Sequence, residues 1–273
     1  MSKLYVVATP IGNLGDITFR AVETLRSVDF IACEDTRVTI KLLNHFEIKK
    51  PLVSYYEHNI RERGEQIISR IQSGESCAVV TDAGMPCISD PGEDLVVLCH
   101  ENNIEVQVVP GATASVSALA ISGLKTSRFS FEGFLSTAKK SRFQHLNEVK
   151  NNKNTMIFYE APHKLAATLG DMLDVLGDRR IAICRELTKI YEEVKLTTIK
   201  EAFEFYRDIT PKGEFVLIIE GMDEKSESLP ATIEDAIEIA KKLTESGMSK
   251  TDAAKTAAKE TGFKKSDIYI ALC

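Results

Sequence analysis

Three acids lie close together in TDAGMPCISDPGE, residues 81–93, with no Lys or Arg among them: Asp82, Asp90 and Glu93. Loops that hold bare phosphates normally include a cation. This composition therefore suits a ligand with little negative charge, flanked by Met85, Pro86 and Ile88. Three other loops share its richness in Gly, Pro and small residues, which lets backbone approach a ligand closely. They are TPIGNLGD at residues 9–16, EDTR at 34–37 and PGATA at 110–114. Gly12, Gly15 and the later Glu34 imitate a dinucleotide fingerprint. The spacing is G-x-x-G, however, and Pro10 stands at the strand exit, so a nicotinamide site is a poor match.

Each loop must be positioned by the element before it. The first 120 residues alternate apolar runs with amphipathic stretches. Strands are expected at Leu4–Ala8, Phe30–Cys33, Leu52–Tyr55, Cys77–Thr81 and Glu105–Val109. Helices are expected at Ile17–Val28, Val38–Phe46, Ile60–Gln72, Gly92–Glu101 and Ala112–Ile121. Continuous apolar runs separated by helices imply a parallel sheet buried on both faces. In such a sheet ligands bind beyond the carboxyl ends of the strands, where the four loops lie.

From Phe129 to Glu220 strands also follow one another directly, which implies a mixed sheet in a second α/β domain beginning near residue 121. Asp223–Pro230 reads as a linker, and three helices follow within 231–273, a pattern that fits a helix-turn-helix-like tail and equally a packed α-hairpin. Ser249 and Asp252 read as a capping box with Asp in place of Glu. The expected fold is thus two α/β domains, 1–120 and 121–224, with a cleft between them and a small helical tail.

The 273 residues are 44% hydrophobic and carry a net charge of −6, which fits a globular protein and argues against RNA binding by the whole surface. The six cysteines show no C-x-x-C spacing and read as reduced thiols in a cytoplasmic protein. No apolar run is long enough for a membrane span, and the N-terminal run is too short for a signal peptide.

An adenosine bearing a sulfonium meets the demands of the acidic loop, and S-adenosylmethionine has no phosphate. TPIGNLGDIT, ACEDTR, TDAGMPCISDPG, VPGATA, FYEAPHK, CRELTK and GEFVLIIEG occur in this order. Together they resemble the tetrapyrrole methylase superfamily of S-adenosylmethionine-dependent methyltransferases, and within it the branch that methylates a cytidine 2′-oxygen of 16S rRNA. The resemblance covers nearly the whole chain and implies a homodimer acting on 16S rRNA in the small ribosomal subunit. By motif position it implies cofactor contacts from Ile11, from Met85 and Ile88, and from Pro110, Gly111, Ala112 and Thr113. Ala161 and Pro162 should close the site from the second domain. Gly84-Met85-Pro86 lacks the middle acid of the G-D-P loop found in the tetrapyrrole enzymes.

A ribose hydroxyl must lose its proton during methylation. Glu34, Asp35 and Glu160 stand at strand ends facing the expected cleft, while Arg37 and Lys189 could orient a phosphate or lower the hydroxyl's pKa. Sequence alone does not choose among these five, and each could instead be a structural ion pair. RNA also requires cations. Lys139, Lys140 and Arg142 sit in STAKKSR, expected to be a mobile basic loop, with Lys250, Lys255, Lys264 and Lys265 in the tail. The interleaved Phe129, Phe131, Phe134 and Phe143 read mostly as core. Two readings compete with the RNA methyltransferase: a tetrapyrrole C-methyltransferase, and a non-catalytic RNA-binding or ribosome-assembly protein.

Overall fold

The computed structural model describes residues 2–56, 59–222 and 233–272. The chain divides into two compact units, one ending at Gly221 and the other beginning at Met222.

The first unit opens with five short strands: β1 (Leu4–Val7), β2 (Phe30–Cys33), β3 (Leu52–Ser54), β4 (Cys77–Val80) and β5 (Val106–Val109). All pair in parallel, in the order β3-β2-β4-β1-β5. Between them run α1 (Phe19–Ser27), α2 (Thr36–His45), α3 (Ile60–Gln72) and α4 (Glu93–Glu101), and α5 (Ala114–Ile121) follows β5. β2 and β4 are buried throughout, because helices cover both faces of the sheet. One face packs Leu4, Phe30 and Val79 beneath α3 and α4, and the other packs Val7, Ile31 and Val80 beneath α1 and α2.

Because all five strands are parallel, the loops after β1, β2, β4 and β5 leave the same edge. Two backbone hydrogen bonds join the first and third of these loops: Thr9 N–H to the Gly84 carbonyl (2.8 Å) and Gly84 N–H to the Thr9 carbonyl (3.2 Å).

The second sheet contains β6 (Phe129–Phe134), β7 (Thr155–Glu160), β8 (Arg180–Arg185), β9 (Glu193–Thr198) and β10 (Phe215–Ile219), in the order β6-β7-β10-β8-β9. β6 and β7 are parallel and the other pairs antiparallel, which makes the sheet mixed. One face carries α6 (Lys139–Val149), α7 (Leu165–Leu176) and α8 (Ile199–Tyr206). On the other face Ala118 and Leu119 of α5 pack against Ile157, Ala182 and Ile218, so the two halves of the unit share a core.

The expected basic loop is corrected here. Only Ser136–Ala138 precede a helix, and α6 begins at Lys139. Arg142 fastens its first turn by donating to Asp171 Oδ2 (2.6 Å) and to the carbonyls of Ser136 (2.9 Å) and Thr137 (3.1 Å).

The second unit holds α9 (Ile233–Glu245), α10 (Lys250–Thr261) and α11 (Lys265–Leu272), packed on Ala236, Ala240, Ala254, Ala257 and Ile268. Ser249 caps α10 by accepting the Asp252 N–H (3.2 Å) and donates to the Asp252 carboxylate (2.6 Å). Gly262, with φ of 75°, ends that helix in the left-handed conformation that glycine adopts without steric cost. The expected linker Asp223–Pro230 and Cys273 lie outside the described residues.

Candidate functional site

A cleft of about 430 Å³ lies between the loop edge of the first sheet and the β7 and β10 ends of the second. That volume is in the range of small-molecule sites. Ile11 comes from the loop after β1 and Glu34 from the end of β2, while the loop after β4 gives Asp82 to Met85 and Ile88 to Asp90. Thr113 and Ala114 begin α5, and Tyr159 to Pro162 leave β7. Leu187, Phe215 and Val216 complete the apolar part.

Five carboxylates line the cleft, from Glu34, Asp82, Asp90, Glu160 and Glu214, and no Lys, Arg or His is among its described lining residues. Glu160 is committed to structure: it is buried and accepts the Ala161 N–H (2.8 Å) and the Thr168 hydroxyl (2.5 Å), with Lys164 Nζ at 3.8 Å. Glu214 pairs with Lys189 (3.0 Å). Glu34, Asp82 and Asp90 have no ion-pair partner among the described residues. Glu34 accepts the Thr81 hydroxyl (3.1 Å), and Asp82 Oδ1 accepts the Asp35 N–H (3.2 Å). Burial pushes the Asp90 carboxyl up to about 6, and the charges of Glu34 and Asp82 add to the rise. Burial also raises Asp82, with Asp35 contributing. Crowded, partly desolvated carboxylates favour a cation or a proton between them.

Of the residues expected to touch a cofactor, Ile11, Met85, Ile88, Thr113, Ala161 and Pro162 line the cleft. Pro110, Gly111 and Ala112 do not. Pro110 and Gly111 are exposed, Gly111 faces Ala8, and Ala112 joins the shared core. The five candidates for chemistry do not converge. Glu34 and Glu160 line the cleft, but Asp35 caps α2 and pairs with Arg37 (2.6 Å), which points into solvent. That pairing draws the Asp35 carboxyl down to about 2. Lys189 is occupied by Glu186 (2.9 Å) and Glu214, and its stem lies over Gly12.

Sequence reasoning treats Asp82 and Asp90 as loop acids and misses their grouping with Glu34. The grouping arises because β2 and β4 are neighbours in the sheet. Tyr159, Glu214, Phe215 and Val216 are also missed as lining residues, although they lie in the quoted FYEAPHK and GEFVLIIEG. Phe134, expected in the core, is 55% exposed at the cleft. A bulge between Phe131 and Gly133 explains this. The extra residue puts Phe134 on the face of Phe131, with both rings edge-on to Tyr159 at 5.4 and 5.0 Å.

The expected RNA-contacting cations also divide. Lys139 and Lys140 are exposed on the first turn of α6, with Lys139 over the Phe143 ring. Arg142 is withdrawn into its bond with Asp171, with both side chains nearly buried. In the tail Lys255, Lys264 and Lys265 are exposed, whereas Lys250 donates to the Leu272 carbonyl (2.6 Å) and ties α10 to the end of α11. No described helix is long and apolar enough to cross a membrane.

The fold and its cleft match known proteins. Solved structures of uroporphyrin-III C-methyltransferase from Thermus thermophilus and of the cobalamin-biosynthetic cobalt-precorrin-4 methyltransferase superpose with TM-scores of 0.57 and 0.60. They share 17% and 18% identity with this chain, cover 81% and 80% of it, and are themselves covered over 94% and 95%. These likenesses concern the fold alone. Proteins named ribosomal RNA small subunit methyltransferase I are much nearer in sequence. The one from Halalkalibacterium halodurans is 50% identical over 97% of this chain and 93% of its own length. Those from Synechocystis and Bacillus subtilis are 47% and 44% identical, each over 98% of this chain and over 96% and 93% of their own lengths. The model of the tetrapyrrole (corrin/porphyrin) methylases matches residues 3–202, and on these matches the chain belongs to the tetrapyrrole methylase family, in the group of the ribosomal RNA small subunit methyltransferase I proteins.

Proposed function

We propose that this chain methylates the ribose 2′-oxygen of a cytidine in 16S rRNA of the small ribosomal subunit, with S-adenosylmethionine as donor. The observation that carries the reading is the cleft itself, apolar and acidic without a lining cation, in a chain that groups with the small-subunit rRNA methyltransferases. Those residues fit a phosphate-free, positively charged adenosyl ligand. Met85, Ile88, Ala161 and Pro162 would flank its apolar parts, and Ile11 and Thr113 would close the ends. Pro110, Gly111 and Ala112 directly precede Thr113 and set its position. When bound, the cofactor supplies an electrophilic methyl group. Glu34, Asp82 and Asp90 favour that positive charge and stand ready to take the proton the acceptor hydroxyl loses. Asp35, Arg37, Glu160 and Lys189 hold the loops in place through their own pairs.

The domain reading, 1–120 and 121–224 with a tail from 231, belongs to the same proposal, as does a cytoplasmic location beside the ribosome. So does a homodimer. Ile190 is 94% exposed, and Val194 and Leu196 are exposed on β9, which ends its sheet. An apolar edge of this kind is a surface that a second copy would cover.

The test is transfer of labelled methyl to small ribosomal subunits, to naked 16S rRNA and to a tetrapyrrole precursor, side by side. Label on one alkali-resistant ribose supports the reading. Label on the tetrapyrrole alone replaces it with the C-methyltransferase alternative. RNA binding with no affinity for S-adenosylmethionine and no transfer to any acceptor favours the non-catalytic RNA-binding alternative.

A further inference from the structure

A second cavity, of about 370 Å³, lies beside the cleft and shares four residues with it: Ile11, Asp82, Ala83 and Glu214. Its outer walls come from the loop after β1 and from α2. Leu14, Val38 and Leu42 give it apolar sides, and Leu14 and Val38 are partly open to solvent.

The polar groups of this cavity are almost all engaged. The Thr9 hydroxyl donates to the Thr81 carbonyl (3.1 Å), the Thr81 hydroxyl donates to Glu34, and Lys189 is held by Glu186 and Glu214. Lys41 is the exception. It lines the cavity, is exposed, and has no ion-pair partner among the described residues. Two ligands that react with one another must meet, and a wall common to two cavities is where they can. One cavity has acids and no cation. The other has apolar sides and one free ammonium at its rim.

We infer that the second cavity takes the acceptor as a single nucleotide extruded from its strand, the base against Leu14, Val38 and Leu42 and a neighbouring phosphate on Lys41. A base turned out of its stack exposes flat apolar faces, and its backbone brings one negative charge per residue, which together match these walls. None of Leu14, Val38, Leu42 and Lys41 contributes to the first cavity. The inference rests on the methyltransfer reading and names where its acceptor sits.

The experiment uses the full chain with small ribosomal subunits and three variants, Val38→Trp, Lys41→Ala and Lys41→Glu. It follows methyl transfer, RNA affinity at several salt concentrations and the dissociation constant for S-adenosylmethionine. Val38→Trp fills the cavity and should lower kcat/KM by roughly a hundredfold or more, the loss that misplacing a reactant brings. Lys41→Ala should reduce the slope of log affinity against log salt by about 1, as expected when one phosphate is no longer neutralised. Lys41→Glu should raise KM for RNA by about tenfold at low salt. Cofactor affinity should be unchanged in all three, which also shows that they fold. If Val38→Trp loses cofactor binding as well, the two Lys41 variants decide, since that side chain is exposed. Wild-type rates in Val38→Trp together with an unchanged salt slope in Lys41→Ala would overturn the placement while leaving the methyltransferase reading intact. A wild-type chain that binds the cofactor and labels no RNA would overturn both.

Discussion

Gly111 stands against Ala8 so closely that a Cβ at position 111 would lie 2.9 Å from the Ala8 Cβ. Ala8 directly follows β1 and Gly111 begins the approach to α5, so this contact sets how far the loop after β5 lies from the loop after β1. The sequence suggests that Gly111 yields space to a ligand. The structure has it yield space to the protein. Gly111→Val should push Thr113 away from the cleft, at a cost of about 1–3 kcal/mol typical of overpacking, and weaken S-adenosylmethionine binding. Gly111→Ala should do the same more mildly, and the double variant Ala8→Gly/Gly111→Ala should recover affinity. Calorimetric titration of the cofactor checks it; unchanged affinity in Gly111→Val would show that Thr113 does not depend on this contact.

Asp90 predicts a pH dependence. Its folded-state carboxyl lies near 6, above the ordinary 3.8, because it is half-buried beside Glu34 and Asp82. Between these values the folded chain holds a proton that the unfolded chain has lost. The stability due to this group is therefore complete below about pH 3.8 and is lost as pH rises through about 6. Asp90→Asn should consequently gain stability relative to the wild type across that window. A positively charged ligand should bind less well as Asp90 protonates below about pH 6, and the Asn variant should flatten that decline. Denaturant melts and cofactor titrations from pH 4 to 8 test both; parallel profiles for the two proteins would place the titrating group elsewhere.

Arg142 predicts a stability effect in place of the RNA effect that its sequence neighbours suggest. Its guanidinium meets the Asp171 carboxylate at 2.6 Å with both side chains nearly buried, joining α6 to α7. Arg142→Ala should cost about 3–5 kcal/mol, because it leaves Asp171 buried without its partner. The double variant Arg142→Met/Asp171→Leu should cost far less. Urea denaturation of the set measures this, and equal losses in single and double variants would mean that packing dominates over charge.

Lys139 and Lys140 remain exposed on α6 and carry the RNA expectation there without Arg142. Lys139→Ala/Lys140→Ala should lower affinity for 16S rRNA at moderate salt and reduce the salt slope by about 1 for each phosphate that these ammonium groups neutralise. Adding Arg142→Lys to the pair should change the slope no further. Filter binding across a salt series would reveal it, and a slope identical to that of the wild type would remove this end of α6 from the RNA surface.

The parallel sheet and the loops that build the site are legible from residue order alone. Strands buried on both faces must be apolar along their whole length, and Phe30–Cys33 and Cys77–Val80 are, so the pattern can be read without a fold. Parallel pairing then forces the loops after β1, β2, β4 and β5 to one edge, which is why the Gly- and Pro-rich segments at 9–16, 34–37, 81–93 and 110–114 read as a group. Other features depend on partners distant in the chain. Whether Arg142 meets RNA or Asp171 depends on α7 packing beside α6. The grouping of Asp82 and Asp90 with Glu34 requires β4 to lie next to β2. Phe134 looks like an ordinary member of an alternating strand until the bulge before Gly133 turns it to the cleft. Local periodicity follows from the covalent chain and from burial, and so it is written in order. A side chain's partner is decided by tertiary packing, which brings together groups that no spacing relates.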